Sequence, residues 1–338
     1  MSVKKDALPA NFKGRTAWRL LVLIVFAVLA VSGIMVSLAK GALAIAPEQV
    51  WRMLWSPVGD AQSQVIWNIR LPRTLVGALV GLNLALAGAV LQAVMRNPLA
   101  DPHIIGISSG AGLAGVAVMI LFPAMEYLIT PIAFAGAMAA AAAIYLLAWK
   151  GGIRPIRIIL AGVAVSAFLG SGISALMIFY SDRVHGALMW MVGGLSARSW
   201  PHLDLILPYS LLGGALAWVG ASRLNLLQLG DDMARGLGLN VEVNRLLLTA
   251  VAALLAASAV SVAGLLGFVG LVVPHAARLL IGSDYRYLLP ASALLGIGVV
   301  TFSDMLARTV LAPVELPVGI IMAFFGGPFF LYLLRREI

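Results

Sequence analysis

The sequence predicts an all-α polytopic membrane protein, and three observations carry that prediction. Hydrophobic residues make up 62% of the 338, charged residues only 11%, and the mean hydropathy is +1.01, well outside the range of soluble domains. The apolar runs recur at lengths of roughly 20 residues, enough for a helix to cross a hydrocarbon core with its own backbone hydrogen bonds satisfied. They also lack the short period-two alternation of a transmembrane barrel. With no cysteine, a disulfide framework and thiolate metal sites are excluded.

In chain order, a basic N-terminal tail (1–17) precedes a single transmembrane domain (18–338). Lys4, Lys5, Lys13, Arg15 and Arg19 flank the first run, 18–38, which is long for a signal-peptide core and is followed by no small-residue cleavage site. It is therefore read as a retained helix. Further spans are predicted at 75–94, 104–122, 129–149, 158–179, 203–221, 246–266, 268–280, 288–311 and 318–334. The run 268–280 is too short to cross without flanking residues, and the glycine-rich piece 187–195 reads as an external half-helix.

Ten crossings put both termini on one side, and the basic residues say which. With the N-terminus inside, most of the 23 Lys and Arg fall on cytoplasmic segments, leaving Lys40, Arg52, Arg70, Arg73, Arg183, Arg198 and Arg308 outside. The orientation is N-in, C-in. The net charge of +9 follows from this bias, so it does not argue for a nucleic acid partner; the basic ends face membrane lipid.

Within the fifth span, Gly162, Ser166, Gly170 and Ser174 recur at i+4 steps. In lipid, helices associate through close approach at small residues, so this stripe suits packing within the chain or the lining of a subunit interface or wide passage. The fourth span, "AFAGAMAAAAAIY", reads as an ordinary tightly packed helix.

Several chemistries fall away. No GxxxxGK[ST] phosphate loop is present, and His103, His185, His202 and His275 show no ligand spacing. Embedded charge is sparse, with Asp304 and Arg308 able to pair at i,i+4, which disfavours an ion-driven carrier.

Two connections carry more information. In "RNPLADPHIIGISSGAG", Asn97-Pro98 and Asp101-Pro102 stop the helix that Arg96 closes, and "GISSGAG" starts another, which makes a rigid cytoplasmic corner. In "LNLLQLGDDMARGLGLNVEVNR", Gly230 breaks the chain, Asp231 is a candidate N-cap, and a short amphipathic helix is expected around Met233 to Leu237. Leu226, Leu227, Leu229, Leu237 and Leu239 are a wasteful choice for a solvated connector. They suit a shaped knob for a cytoplasmic partner.

The segments "LPRTLVGALVGLNLALAGAVLQAVMRNPLADPHIIGISSGAG", "LGDDMARGLGL", "GFVGLVVPHAARLLIG" and "ELPVGIIMAFFGGPFFLYLL" resemble the permease subunits of binding-protein-dependent ABC importers for ferric siderophores, haem and cobalamin. The resemblance runs from about residue 15 to 336 in the same order and spacing. It implies ten helices per subunit, two subunits around one path, and a separate ATPase dimer that uses ATP and Mg, with no cofactor bound by this chain and no catalytic residue in it.

By resemblance, residues from about 225 to 240 are coupling helices that seat in the ATPase, with Leu227, Leu229, Gly230, Asp231, Asp232, Arg235, Gly236, Leu237, Gly238 and Leu239 at the contact. Asn97, Pro98 and Leu99, with Arg154, Pro155 and Ile156, match positions of a cytoplasmic gate; some relatives carry small hydroxyl residues where this chain has Pro155 and Ile156. Arg70, Arg73 and Arg308 match arginines that meet acidic side chains of the substrate-binding protein, and Pro72 between the first two suits the first turn of the second span. The fifth and tenth helices lie along the dimer axis in the family, which favours the interface reading of the Gly162, Ser166, Gly170 and Ser174 stripe. The expectation is a homodimeric inner-membrane importer of a metal chelate, an iron chelate foremost. A stand-alone secondary carrier or channel is the alternative.

Overall fold

The computed structural model describes residues 16–41, 44–56, 59–150 and 155–337; the N-terminal tail and Arg154 lie outside the described residues. Helices follow one another in the order α1 (Thr16–Ala39), α2 (Pro47–Trp55), α3 (Ala61–Val65), a π-helical turn (Ile66–Arg70), α4 (Leu71–Met95), α5 (Pro102–Ile105) and α6 (Ile107–Leu121). After a 3-10 segment (Pro123–Leu128) come α7 (Ile129–Ala148), α8 (Pro155–Phe179), α9 (Val184–Val192), α10 (Trp200–Val219), α11 (Ala221–Gln228) and α12 (Asp231–Gly236). The series ends with α13 (Val241–Ala263), α14 (Val269–Ile281), α15 (Tyr285–Thr309) and α16 (Val318–Glu337). Among the described residues, seven helices or helical runs are long and apolar enough to cross a membrane, and α6, α14 and α16 add shorter apolar stretches.

Burial is uneven in a way the apolar composition does not reveal. The run Ala61–Met95 is the centre of the molecule, with 83% of its apolar window buried, and α13 follows at 72%. Around α4 pack α15, α13, α14 and α10; α1 lies on α15, and α6, α7 and α8 form an adjoining group. On α1 the inward face is Val22, Phe26, Ala30, Gly33 and Ser37, a stripe at helical spacing. Small residues set the close contacts, as expected where apolar surface gains nothing by leaving lipid. A Cβ on Gly81 would collide with the Gly296 carbonyl, and one on Gly296 with the Gly81 carbonyl. Gly110 and Gly136 bring α6 and α7 together in the same manner, consistent with ordinary packing of the fourth span.

Two predicted boundaries change. The second span does not begin near residue 75: helical backbone runs continuously from Ala61, so Pro72 is not in a first turn. Pro72 has no N–H to donate. The chain absorbs it by widening into the π turn just before it, where the Leu71 N–H bonds to the Ile66 carbonyl. The glycine-rich half-helix is present as α9, displaced toward the N-terminus of its predicted range.

Beyond α9 the backbone is irregular, yet its polar groups are answered by protein. The Gly194 N–H donates to the Ala263 carbonyl (2.8 Å) and the Gly319 N–H to the Gly193 carbonyl (3.0 Å). Gly193 (φ 86°) and Gly264 (φ 74°) supply the left-handed backbone this junction requires. Non-helical backbone deep in a membrane protein is tolerated where protein satisfies it, and this junction shortens α14 and lets α16 start at Val318.

Candidate functional site

The knob after α10 is built on a charged anchor. Arg245 near the start of α13 is 1% exposed and forks onto Asp231, with Nη2 to Oδ1 at 2.8 Å and Nη1 to Oδ2 at 3.3 Å. Burial pushes the Asp231 carboxyl up, but the hydrogen bond and charge of Arg245 outweigh it and hold it below the usual range. Asp231 is therefore not the N-cap expected from sequence: Gly230 (φ 103°) precedes α12, and the Asp231 side chain is committed to Arg245 instead. Ala234 and Leu227 face inward and are buried, whereas Leu229, Met233 and Leu237 project outward at 51%, 61% and 60% exposure. Gly236 and Gly238 have open space at their Cβ positions, and Leu239 is half-buried. Asp232 and Arg235 pair at the surface (3.6 Å), with Glu242 3.9 Å from Arg235. A rigidly tethered surface with three projecting apolar side chains results.

The corner expected on the cytoplasmic side lies beside it. Arg96 ends α4 in the left-handed region (φ 48°), and a Cβ on Gly230 would meet its guanidinium at 3.2 Å. The Asn97 side chain accepts from the Leu99 N–H (2.9 Å), fixing the turn in which Pro98 is exposed, and Asp101 accepts from the His103 N–H (2.7 Å) to cap α5. Gly106 (φ 98°) joins α5 to α6 and sits against the Gly162 carbonyl and the Ser166 hydroxyl of α8. Pro155 opens α8 and Ile156 is exposed. The corner and the start of the small-residue stripe are thus brought together within one chain.

The stripe divides. Gly162 is buried, but Gly170 has no atom within 4 Å of a Cβ and Ser174 is exposed. Successive i+4 steps turn about 40° each on a helix of about 3.6 residues per turn, so four such residues cannot all face one neighbour. Its first half packs internally and its second half faces outward.

A polar chain that sequence reading missed joins the knob to the bundle. Pro274 leaves the Gly270 carbonyl without its helical donor, and Gln92 Nε2 of α4 donates to it (3.2 Å). Arg278 Nη2 donates to Gln92 Oε1 (2.8 Å) and to the Tyr285 hydroxyl (3.3 Å), which also accepts from Gln228 at the end of α11 (3.1 Å). Asn225 reaches Asp284, whose carboxyl is held at about 2 chiefly by the Arg286 hydrogen bond. The proline inside the "VVPH" run was the available signal. Asn83, fully buried, likewise bonds Ser210 and Ser258 across three helices.

At the opposite end, the three arginines assigned to binding-protein docking take intrachain partners. Arg73 Nη2 meets Asp304 at 2.9 Å and Arg73 Nη1 meets Glu315 at 2.8 Å. Arg308 meets Asp304 at 3.1 Å, the i,i+4 pair expected from sequence, and also donates to Ser37 and Lys40. Arg70 donates to the carbonyls of Leu38 and Ala39. All three are 4–6% exposed, and within this chain they brace α1, α4 and α15. A charged head amid apolar helices finds its counter-ion inside the bundle.

The model of the FecCD transport family matches residues 18–336. The chain belongs to that family. It is 41% identical over 324 residues to the Fe(3+)-citrate import system permease protein YfmD of Bacillus subtilis (strain 168), covering 96% of this chain and 97% of the relative. Identity is 44% over 283 residues with the cobalamin import system permease protein BtuC of Halobacterium salinarum, covering 83% and 76%. It is 40% over 302 residues with the hemin transport system permease protein HmuU of Yersinia pestis, covering 85% and 88%. Among solved structures, an inward-facing metal-chelate type ABC transporter superposes with a TM-score of 0.83 at 29% identity, over 94% of this chain and 99% of that one. This FecCD member is a multi-pass membrane transport component of the ABC permease class and not itself an enzyme.

Proposed function

We propose that this FecCD chain is the permease half-channel of an ABC importer that moves a metal chelate from a binding protein into the cytoplasm by alternating access. The fold is read as ten crossings, N-in and C-in, with α9 as the external half-helix and α11 and α12 as coupling helices. Two identical chains surround the path in the inner membrane, and an ATPase dimer below them binds ATP and Mg. Citrate-, haem- and cobalamin-carrying relatives support a chelate cargo, with ferric citrate the first candidate.

The observation that carries this reading is the tethered knob. Met233 stands exposed on α12, flanked by the exposed Leu229 before it and Leu237 after it, and the first residue of α12 is held by the buried Arg245. Such side chains gain by insertion into a partner's cleft, and the tether lets the partner's closure push on α13. Closure then alters the packing of Asn97, Pro98 and Leu99 against the beginning of α8, where Pro155 and Ile156 lie, and access switches sides. Arg70, Arg73 and Arg308 brace the outer face on which the binding protein sits.

Leu237→Glu tests it. Because Leu237 touches solvent and not the core, the chain should stay monodisperse in detergent while its ATPase is lost on co-purification and ATP-dependent chelate uptake in proteoliposomes falls to background. Unchanged ATPase recovery would overturn the coupling assignment.

A further inference from the structure

The pairing of Arg245 with Asp231 ties the knob to α13. A second connection leaves the knob from α11. Asn225 and the start of α15 are clipped to each other in both directions: Asn225 Nδ2 donates to Asp284 Oδ1 (2.9 Å), and the Tyr285 N–H donates back to Asn225 Oδ1 (2.9 Å). Gln228, three residues on, donates to the hydroxyl of the fully buried Tyr285 at 3.1 Å. With three such bonds, α11 and the first turn of α15 move as one body.

From that body the connection continues with a fixed direction. Arg278 Nη2 donates both to the Tyr285 hydroxyl (3.3 Å) and to Gln92 Oε1 (2.8 Å). A guanidinium can only donate, so Gln92 must present its oxygen to Arg278 and its amide nitrogen to the other side. There stands the Gly270 carbonyl, 3.2 Å from Gln92 Nε2 and deprived of its helical donor by Pro274. Turning the amide over would set donor against donor and acceptor against acceptor. Gln92 is 2% exposed, where groups left unpaired in that way are costly.

Gly270 is also where this connection meets the corner. A Cβ added to it would lie 2.7 Å from Asp101 Oδ2 and 3.0 Å from Pro102 Cδ. A Cβ on Gly88, one turn before Gln92 on α4, would strike the Gly270 carbonyl itself. Packing this close leaves no slack between α4, α14 and the chain that enters α5. A shift of the Gly270 segment therefore displaces Asp101 and Pro102, and with them the turn at Asn97 to Leu99.

We propose that Tyr285, Arg278 and Gln92 are positioning residues of the transport cycle: they carry a displacement of α11 to the Gly270 carbonyl and so to the corner. The inference rests on the importer reading and gives it a second route from knob to gate, beside the one through α13. Tyr285 and Gln92 are buried and act through other residues, not by touching a partner. Drawing α11 away strands their donors and acceptors unless α14 follows, and that cost is what makes the connection transmit.

The test uses the permease with its ATPase in nanodiscs for distances and in proteoliposomes for uptake. The chain has no cysteine of its own, so nitroxides placed by His103→Cys and Leu160→Cys, both exposed, report the spacing of α5 from α8. A non-hydrolysable ATP analogue with Mg should change that distance in the otherwise unaltered chain. In Gln92→Met and in Tyr285→Phe the ATPase should still co-purify and hydrolyse ATP. The distance change should shrink, and cargo moved per ATP should fall at least about fivefold, the lower end of typical coupling between sites. Arg278→Lys, which keeps a donor, should retain more coupling than Arg278→Met. Because the residues form one chain of contacts, Gln92→Met combined with Tyr285→Phe should lose no more than the worse single change. Should Gln92→Met fail to fold, Tyr285→Phe, which removes one hydroxyl, decides. A distance that ignores nucleotide, variants that keep the full change and full coupling, additive losses in the double variant, or uptake that falls only in step with ATPase recovery and thermal stability would each overturn the relay. Absence of ATP-dependent uptake by the unaltered chain would instead count against the importer reading, while the label distance still reads the relay.

Discussion

Replacing Asp304 with Asn removes one negative charge from a site where two arginines converge. Its side chain is 2% exposed, and it accepts from Arg73 Nη2 at 2.9 Å and Arg308 Nε at 3.1 Å. Breaking a buried ion pair from one side typically costs about 3–5 kcal/mol, because the remaining charge is left without its counter-ion. Here each arginine keeps other acceptors: Glu315 for Arg73 at 2.8 Å, and the Ser37 carbonyl and hydroxyl for Arg308 at 3.0 and 2.8 Å. The cost should therefore fall at the low end, about 3 kcal/mol, a shift on the order of 100-fold in the unfolding equilibrium. Reversible unfolding in mixed detergent micelles, followed by circular dichroism, measures it. Glu315→Gln is the control, since Glu315 is 44% exposed and a half-exposed pair is worth under about 1 kcal/mol. If Asp304→Asn cost no more than Glu315→Gln, the brace would be refuted and the arginines returned to a surface role.

Gly170→Leu should leave the isolated chain as stable as the parent, because nothing lies within 4 Å of its Cβ, yet impair dimerisation or uptake if the outward half of the α8 stripe meets a second subunit; cross-linking and uptake check both arms. Gly81→Leu should behave oppositely and destabilise the chain itself by about 1–3 kcal/mol or more, since the Gly296 carbonyl occupies the space, and thermal unfolding in detergent reads this. The Asp284 carboxyl, held at about 2 in the fold against an ordinary value near 3.9, contributes stability that is complete above about pH 4 and is lost as pH falls toward about 2. Unfolding between pH 5 and 2 should show that slope in the parent and a shallower one in Asp284→Asn.

Much was legible because lipid leaves the backbone few choices. Apolar runs of spanning length must be helices, so α1, α7, α8, α10, α13 and α15 stand close to where composition put them, and Pro98, Pro102 and Gly230 mark breaks that the chain obeys. The protruding character of Leu229 and Leu237 was likewise readable, because such side chains have no reason to sit in a solvated loop. Which side chains meet across the bundle was not readable, since it depends on how helices rotate about their axes, and in a chain this apolar the hydrophobic pattern barely constrains rotation. Only packing paired Arg73 with Asp304 across 231 positions, turned half of the α8 stripe inward, and put Trp190, Arg198 and His202 around one cavity. The extension of the second span back to Ala61 belongs to the same class. A proline reads as a helix start in sequence, and only neighbouring structure could make a π turn the cheaper way to carry it.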